Sequence, residues 1–349
     1  MEVIRVRVGG VVTQVLQHPE ARVLLPPDAE APAEPPSTVL LLVPGNPGIV
    51  SFYEPFLLAL YAAWGGKVAV AAVSHVGHIA GLPNEVEVPS LDLPFASHIA
   101  GEPQLAPTRL SWDLESQIAH KSAILRAIAE SPATAAAPKF VLAGHSIGAH
   151  IVTQLMLQSA SAAGAASGEA AAPGVDIIRG INLFPTLHSM KEHAGVLNYV
   201  TLPGLRHAAA AAVAVMGALP GRLVKPVMRM ASDAAADDRT ADIVLSSFSF
   251  STAAAVLGMA RTEFVTVNAV PDLSPIIDDL VFYYGVDDGW APINHAHMTR
   301  EAYPDHPHVY IDATGAPHAF VVDSSEDVAA ELVRLLKGDL FPADPSPAS

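Results

Sequence analysis

The 349-residue sequence contains no cysteine. This absence excludes disulfide bonds, thiolate metal sites and a cysteine nucleophile together, and it is typical of proteins in a reducing compartment. Basic residues are also scarce, since 19 lysines and arginines stand against 35 aspartates and glutamates, for a formal net charge of −16. This excess of negative charge argues against nucleic-acid binding by the chain as a whole.

A long uninterrupted apolar run is missing too, although 51% of the residues are hydrophobic. No charge-free apolar run approaches the roughly 20 residues of a membrane-spanning helix. The segment from Met1 to Val8 alternates apolar and charged residues and lacks the apolar core of a signal peptide. We therefore expect a cytosolic protein that is not secreted, with attachment to a membrane or lipid surface left open.

Apolar, β-prone runs alternate with segments of helical spacing along most of the chain, which predicts an α/β fold with a mostly parallel central sheet. Residues 3–8 and 11–16 predict an N-terminal antiparallel hairpin. We treat residues 1–349 as one domain and expect the Pro- and Ala-rich tail, about 341–349, to be disordered. The predicted buried strands are 38–43, 67–73, 139–143, 177–184, 280–284 and 309–311.

A pentapeptide at residues 144–148, Gly-His-Ser-Ile-Gly, lies between a β-prone run and a helical run. Strand, Gly-x-Ser-x-Gly turn and helix form the context of a nucleophile elbow, which lifts the serine hydroxyl out of the sheet edge. The helix N-terminus beneath Ser146 favours developing negative charge. So short a motif also occurs by chance, but its flanking elements favour a nucleophile and predict an α/β-hydrolase fold.

The turn after strand 38–43, residues 44–48 (Pro-Gly-Asn-Pro-Gly), is the second candidate part of a site. In α/β-hydrolases such a loop supplies one donor of the oxyanion hole, and the residue after the nucleophile supplies the other. Proline has no backbone N–H, so Asn46 is the best-placed donor of this turn, paired with the amide of Ile147. A plain turn ahead of the next helix is the alternative interpretation.

An acid and a histidine follow Ser146 in the chain order of α/β-hydrolases. The acid is Asp287 or Asp288, after strand 280–284, and spacing alone does not choose between them. The histidine is His318, after the last predicted strand. His318 would take the serine proton, and the aspartate would orient and stabilise the imidazole. Taken singly, either residue could be an ordinary loop residue.

Three further histidines, His75, His78 and His145, follow or end predicted strands, so we expect them to shape the substrate pocket. The His-x-x-His spacing of the first pair suggests a metal, but a third ligand at a characteristic spacing is missing. The sequence therefore predicts neither a metal nor a cofactor.

Residues of about 186–275 break the strand–helix alternation at the place where hydrolases of this fold insert a cap. The stretch from His193 through Ser232 has no acidic residue. A basic-flanked, apolar segment interrupted by glycine and proline favours a helical hairpin lying in a lipid surface. A cap helix packed over the active site is a compatible alternative. The basic residues of this stretch are Arg206, Arg222, Lys225 and Arg229.

Six short motifs, in the same order along residues 38–337, carry a family resemblance. They are residues 43–48 with Phe52 and Tyr53, residues 74–78, 144–148 and 184–186, residues 283–285 with 288–290, and residues 317–320. Together they resemble the lipid droplet-associated hydrolase family. By this motif match, Ser146 is the implied nucleophile, Asp288 the implied acid and His318 the implied base.

The resemblance implies a serine hydrolase that cleaves carboxylic esters of lipids, either sterol or acyl esters, through an acyl-serine intermediate. It implies a location at the lipid droplet surface and in the cytosol, with the endoplasmic reticulum membrane as a further site. The cap region is the expected contact with the droplet or membrane. The alternative hypothesis is a droplet-surface binding or scaffold protein with a weak or vestigial site, and an acyltransferase or thioesterase would share the same machinery.

Overall fold

A computed structural model describes residues 1–8, 11–25, 29–81, 86–87, 113–164, 175–231 and 237–336. The predicted tail at 341–349 lies outside these residues. The strands are β1 (Glu2–Val8), β2 (Val11–Gln17), β3 (Thr38–Val43), β4 (Ala69–Val73), β5 (Val86–Glu87), β6 (Lys139–His145), β7 (Asp176–Leu183), β8 (Leu280–Tyr284) and β9 (Val309–Ile311).

These strands form one sheet in the order β5-β1-β2-β4-β3-β6-β7-β8-β9. Strand β2 is antiparallel to both β1 and β4, while every pair from β4 to β9 is parallel. The predicted mostly parallel sheet with an N-terminal antiparallel hairpin is confirmed. In such a sheet the carboxyl ends of the parallel strands share one edge, where loops can bring distant side chains together.

Helices cover both faces of the sheet, which explains why the central strands are apolar without alternation. Five of the six residues of β3 are buried. The flanking helices are α1 (Glu54–Ala63), α2 (Leu114–Ala129), α3 (Ile147–Gly164), α10 (Asn294–Ala302) and α11 (Ser325–Leu335). On one face α2 and α3 supply Ile124 and Leu155 to the core, and on the other α1 and α11 supply Leu57 and Leu332.

A helical segment lies between β7 and β8, and we call its residues 190–266 the cap. The cap helices are α4 (Met190–His193), α5 (Leu197–Val200), α6 (Pro203–Gly217), α7 (Gly221–Ala231), α8 (Asp238–Ser246) and α9 (Phe250–Thr266). Helix α6 packs along α9, and α4 also contacts α9. Among the described residues, no single helix is long and apolar enough to cross a membrane, and only α8 and α9 taken together reach that length and composition, with a 92° bend between them.

Two glycines allow β6 to turn sharply into α3. A Cβ at position 144 would lie 2.4 Å from the carbonyl oxygen of Gly148, and one at position 148 would lie 2.1 Å from the carbonyl oxygen of Val43. Neither neighbour is a flexible side chain that could move aside. The tight turn from β6 into α3 therefore requires glycine at position 144, and the close approach of α3 to the end of β3 requires glycine at position 148.

Replacement of Gly148 by alanine tests this contact, because the new methyl group meets backbone rather than side chain. We expect Gly148→Ala to lower the free energy of unfolding by about 3 kcal/mol or more, measured by urea denaturation. The control is Gly204→Ala, since no atom lies within 4 Å of a Cβ built there. Equal denaturation midpoints for the two variants would contradict the packing argument.

Candidate functional site

Ser146 lies at the tip of the turn between β6 and α3, with a backbone φ of +56°. This left-handed conformation is uncommon for a residue with a side chain, so surrounding contacts must hold it. The Ser146 N–H donates to the carbonyl of Leu183 at 3.0 Å, and the Ser146 carbonyl accepts from Ala149 at 3.0 Å and Thr186 at 3.3 Å. The ends of β6 and β7 therefore fix the serine backbone.

Three of the predicted side chains form a hydrogen-bonded series. Ser146 Oγ lies 2.9 Å from His318 Nε2, and His318 Nδ1 lies 2.6 Å from Asp288 Oδ2. An ionised carboxylate only accepts hydrogen bonds, so Nδ1 carries the proton and Nε2 is left to accept from the serine hydroxyl. This is the arrangement that allows a histidine to deprotonate a serine.

Asp288, rather than Asp287, contacts the histidine. Burial raises the pKa of Asp288. The hydrogen bond and charge of His318, together with two backbone N–H groups, lower it by more than burial raises it, so the net shift is downward. Those N–H groups belong to Trp290 and Ala291, which donate to Oδ1 at 2.8 and 2.9 Å. Asp287 is exposed to solvent. The side chain of Asp287 therefore takes no part in the hydrogen-bonded series of Ser146, His318 and Asp288.

The two predicted oxyanion donors flank Ser146. The side chain of Asn46 lies on the wall of the cavity that Ser146 also lines. Within the described part of the chain, the backbone N–H of Asn46 has no acceptor. Ile147 is the first residue of α3, and the first N–H groups of a helix have no acceptor inside it. Both amides can therefore donate to a ligand, and their role stays a prediction.

His145 connects the loops on either side of Ser146. Tyr53 Oη accepts from the Gly45 N–H at 2.8 Å and lies 2.7 Å from His145 Nδ1, while His145 Nε2 lies 2.8 Å from the carbonyl oxygen of His318. Burial is the main cause that lowers the pKa of His145 to about 3, so the imidazole is neutral. It accepts from the tyrosine hydroxyl and donates to the His318 carbonyl.

His75 and His78 support the turn of residues 44–48, which carries the predicted donor Asn46. His75 Nε2 donates to the carbonyl of Pro44 at 3.0 Å, and His78 Nδ1 accepts from the Gly48 N–H at 2.9 Å. Burial lowers the pKa of His78 to about 3 and that of His75 well below its usual value. Neither these two histidines nor His145 is among the residues that line the cavity at Ser146, and their part in shaping the substrate pocket stays a prediction.

The cavity beside Ser146 has a volume of about 180 Å³. It is lined by Ser146, His318 and Asn46, and the cap forms most of the rest of its wall. The described residues contain no cluster of three or more potential metal ligands. Apolar side chains dominate the wall, namely Met190, Leu197, Val256, Leu257, Ala260, Phe264 and Trp290.

One acidic residue of the cavity wall, Glu263 on α9, was missed by the sequence reasoning. Its side chain is buried, and Oε1 accepts from Asn46 Nδ2 at 2.9 Å. Burial raises the pKa of Glu263 to about 7, and the Asn46 hydrogen bond opposes this only in part. The available signal was an acid next to Phe264 in a helix that is otherwise rich in small apolar residues.

Comparison with solved structures gives the fold of the protein. An epoxide hydrolase from Vigna radiata superposes with a TM-score of 0.57 over 96% of this chain and 97% of the other, at 15% identity. A meta-cleavage product hydrolase superposes with a TM-score of 0.54 over 95% and 97%, at 13% identity. At such identities the likeness concerns the fold alone. The predicted α/β-hydrolase fold is therefore confirmed.

Sequence comparison gives the family. The family model described as lipid-droplet associated hydrolase matches residues 36–321, so the chain belongs to that family. The lipid droplet-associated hydrolase of Gallus gallus is 26% identical over 310 residues, which cover 87% of this chain and 86% of the relative. That of Rattus norvegicus is 28% identical over 330 residues, covering 92% and 90%. The protein is accordingly a hydrolase, and its family name associates it with lipid droplets.

The raised pKa of Glu263 predicts a pH-dependent stability. Between the ordinary value of 4.5 and the folded value of about 7, the unfolded chain loses this proton first, so stability falls as pH rises through that range. The loss amounts to about 3 kcal/mol at 1.36 kcal/mol per pKa unit. We expect Glu263→Gln to remove it, as measured by urea denaturation at pH 4.5 and pH 8.5.

Glu115→Gln is the matched control, since Glu115 is an exposed glutamate near the start of α2. The control should follow the wild-type dependence on pH, whereas Glu263→Gln should gain stability over the wild type only at pH 8.5. A constant difference between Glu263→Gln and the wild type at both pH values would refute the assignment.

Proposed function

We propose that the protein hydrolyses carboxylic esters of lipids through an acyl-serine intermediate on Ser146. The observation that carries this proposal is the series of contacts from Ser146 Oγ to His318 Nε2 at 2.9 Å and from His318 Nδ1 to Asp288 Oδ2 at 2.6 Å. This series opens into a mostly apolar cavity. The family name supports hydrolase chemistry, and the apolar wall supports a lipid as the substrate.

In the first half of the proposed reaction, Ser146 Oγ attacks the ester carbonyl carbon while its proton passes to His318 Nε2. The ionised Asp288 stabilises the imidazolium that forms. The backbone N–H groups of Asn46 and Ile147 bind the negative oxygen of the tetrahedral intermediate, and loss of one such donor typically costs about 3–4 kcal/mol. When the intermediate collapses, His318 returns the proton to the departing alcohol.

In the second half, a water molecule gives a proton to His318 and attacks the acyl-serine. The tetrahedral intermediate uses the same two N–H donors. Its collapse releases the carboxylic acid and returns the proton from His318 to Ser146. These steps use only side chains and amides of this chain, together with water.

The size of the cavity bears on which part of the ester enters it. Its volume of about 180 Å³ is close to that of an engineered apolar cavity of about 150 Å³ that holds benzene. A compact acyl segment can occupy such a space, whereas a sterol ring system exceeds it. We therefore place the acyl part of a sterol or acyl ester in the cavity and the alcohol towards its mouth.

Three variants test the chemistry with p-nitrophenyl esters of short acyl chains. Ser146→Ala removes the nucleophile, and the corresponding loss in a studied serine hydrolase is on the order of a millionfold in kcat. Asp288→Asn leaves His318 in the wrong tautomer, for which about a ten-thousandfold loss is known. We expect losses of these sizes, provided that the variants retain the wild-type melting temperature.

Asp287→Asn is the matched control, because it makes the same change one position earlier on an exposed side chain. Its kcat should stay within about twofold of the wild type. The proposal is lost if Ser146→Ala keeps wild-type turnover, or if Asp287→Asn and Asp288→Asn lower kcat equally.

A second proposed property is attachment of the cap to the droplet surface. Helices α6 and α7 expose large apolar side chains that a water-facing helix would normally bury. Lys225 Nζ contacts Asp242 at 2.6 Å, and Arg229 pairs with Asp238, so two of the four basic residues are neutralised by α8. The exposed apolar residues are Leu205, Val215, Met216, Leu223 and Val227 on the two helices and Leu219 between them.

The remaining two basic residues, Arg206 and Arg222, have no acidic partner within the described ranges. Apolar side chains that enter a lipid layer, with cations beside them for the phosphate groups, are typical of helices that lie on a lipid surface. We infer that this face contacts the droplet or the endoplasmic reticulum membrane, in exchange with a cytosolic pool. The same face would also serve a scaffold with a vestigial site.

Substitution of Leu223 and Val227 together by glutamate tests the attachment. Each buried side chain contributes about 1.5–3 kcal/mol, so the double variant should bind triacylglycerol droplets coated with phosphatidylcholine at least about tenfold more weakly in a flotation assay. The control is Leu58→Glu on α1, which places the same charge on an exposed apolar side chain outside the cap.

The control should float with the droplets like the wild type. Unchanged binding by the double variant would rule out this face. Retained turnover of soluble esters by the double variant would show that attachment and chemistry are separate, which a scaffold with a vestigial site does not predict.

A further inference from the structure

The side chain of Asn46 joins the oxyanion turn to the cap. Asn46 Nδ2 donates to the carbonyl oxygen of Val256 at 3.1 Å and to Glu263 Oε1 at 2.9 Å. Both acceptors belong to α9, more than 200 positions further along the chain. Because the side chain of Asn46 is held by the cap, the position of its backbone N–H depends on α9 as well as on β3.

The stability of the fold alone does not explain why position 263 carries a carboxyl group rather than an apolar side chain. The side chain is 3% exposed, and within the described residues neither lysine nor arginine lies within ion-pair distance of it. A buried acid without a cation is destabilising compared with an apolar residue of similar size. The carbonyl of Val256 would still accept one of the two Asn46 protons. A costly group retained beside reacting residues is characteristic of functional sites.

The surroundings of Asn46 show what Glu263 adds. The rest of the turn is fixed from below, since Gly45 donates to Tyr53 Oη at 2.8 Å and Gly48 donates to His78 Nδ1 at 2.9 Å. Asn46, at the centre of the turn, makes its side-chain hydrogen bonds only with α9 among the described residues. Asn46 is therefore the residue of the turn whose side chain is held by the cap.

We propose that Glu263 is a positioning residue, which acts through the side chain of Asn46 to aim the Asn46 backbone N–H at the oxyanion. This inference rests on the proposed ester hydrolysis at Ser146. Glu263 does not exchange a proton with the substrate in this role. Its Oε1 atom needs only to accept a hydrogen bond, which the amide oxygen of a glutamine can do equally well.

The kinetic test compares Glu263→Leu with Glu263→Gln, using a p-nitrophenyl ester of a short acyl chain. Loss of a whole oxyanion donor lowers kcat by about 10²–10³. A donor that is misplaced but present should cost less, so we expect Glu263→Leu to lower kcat by about tenfold to a hundredfold with KM within about threefold of the wild type. Glu263→Gln should restore kcat to within about threefold, because the acceptor is restored.

Two further variants separate this effect from a general disturbance of the cap. Asn46→Ala keeps the backbone N–H and removes the contact, so it should lower kcat like Glu263→Leu, and the two losses should not add in the double variant. Thr266→Leu, an exposed change on the same helix, should leave kcat unchanged. Additive losses, or wild-type kcat in Glu263→Leu, would overturn the proposal.

Hydrogen exchange supplies a readout that does not depend on activity. In a peptide covering residues 44–53, Glu263→Leu should exchange faster than the wild type, and Glu263→Gln should exchange at the wild-type rate. If Glu263→Leu exchanges faster but the wild type shows no Ser146-dependent turnover, the proposed hydrolysis is wrong while the contact between Glu263 and Asn46 stands. Unchanged exchange with unchanged kcat in Glu263→Leu would remove the positioning role while Ser146-dependent hydrolysis stands.

Discussion

The close contact between the backbone of Gly148 and the end of β3 is the constraint on which the site depends. A single added methyl group at position 148 would lie 2.1 Å from the Val43 carbonyl oxygen. The same closeness brings the turn that follows β3 against the elbow, where a Cβ at position 45 would lie 3.1 Å from the Cβ of Ser146. Asn46 and Ser146 therefore line the same cavity because the backbone after β3 touches the backbone of the elbow. This proximity does not require a specific contact between side chains.

Neutral, buried polar side chains then hold this geometry from below. Tyr53 and His145 connect the turn of residues 44–48 to the loop of His318, and His75 and His78 fix both ends of that turn. Burial keeps these imidazoles uncharged, so they can accept and donate without placing a cation next to the catalytic His318 that we propose. The cap adds the remaining contact, from Glu263 to Asn46, and closes the apolar cavity.

The sequence was sufficient for the fold because its signals are local: uninterrupted apolar runs for buried parallel strands, alternation for the hairpin, and glycines in the elbow. The elbow motif and the chain order identified Ser146 and His318 as candidate catalytic residues, and the family resemblance favoured Asp288 over Asp287 as the acid. Long-range contacts were out of reach. His75 and His78 were expected in the pocket because they follow a strand, yet their rings point to backbone atoms of the neighbouring turn. Glu263 was overlooked because its side-chain hydrogen-bond partner among the described residues, Asn46, is 217 positions away.

The most direct measurement is a crystal structure of the protein after reaction with a fluorophosphonate, whose tetrahedral adduct resembles the proposed intermediate. The account predicts a phosphorus atom bonded to Ser146 Oγ and a phosphonyl oxygen at about 2.7–3.1 Å from the backbone nitrogens of both Asn46 and Ile147. A protein that forms no adduct at Ser146, or an adduct whose oxygen faces away from these two amides, would contradict it.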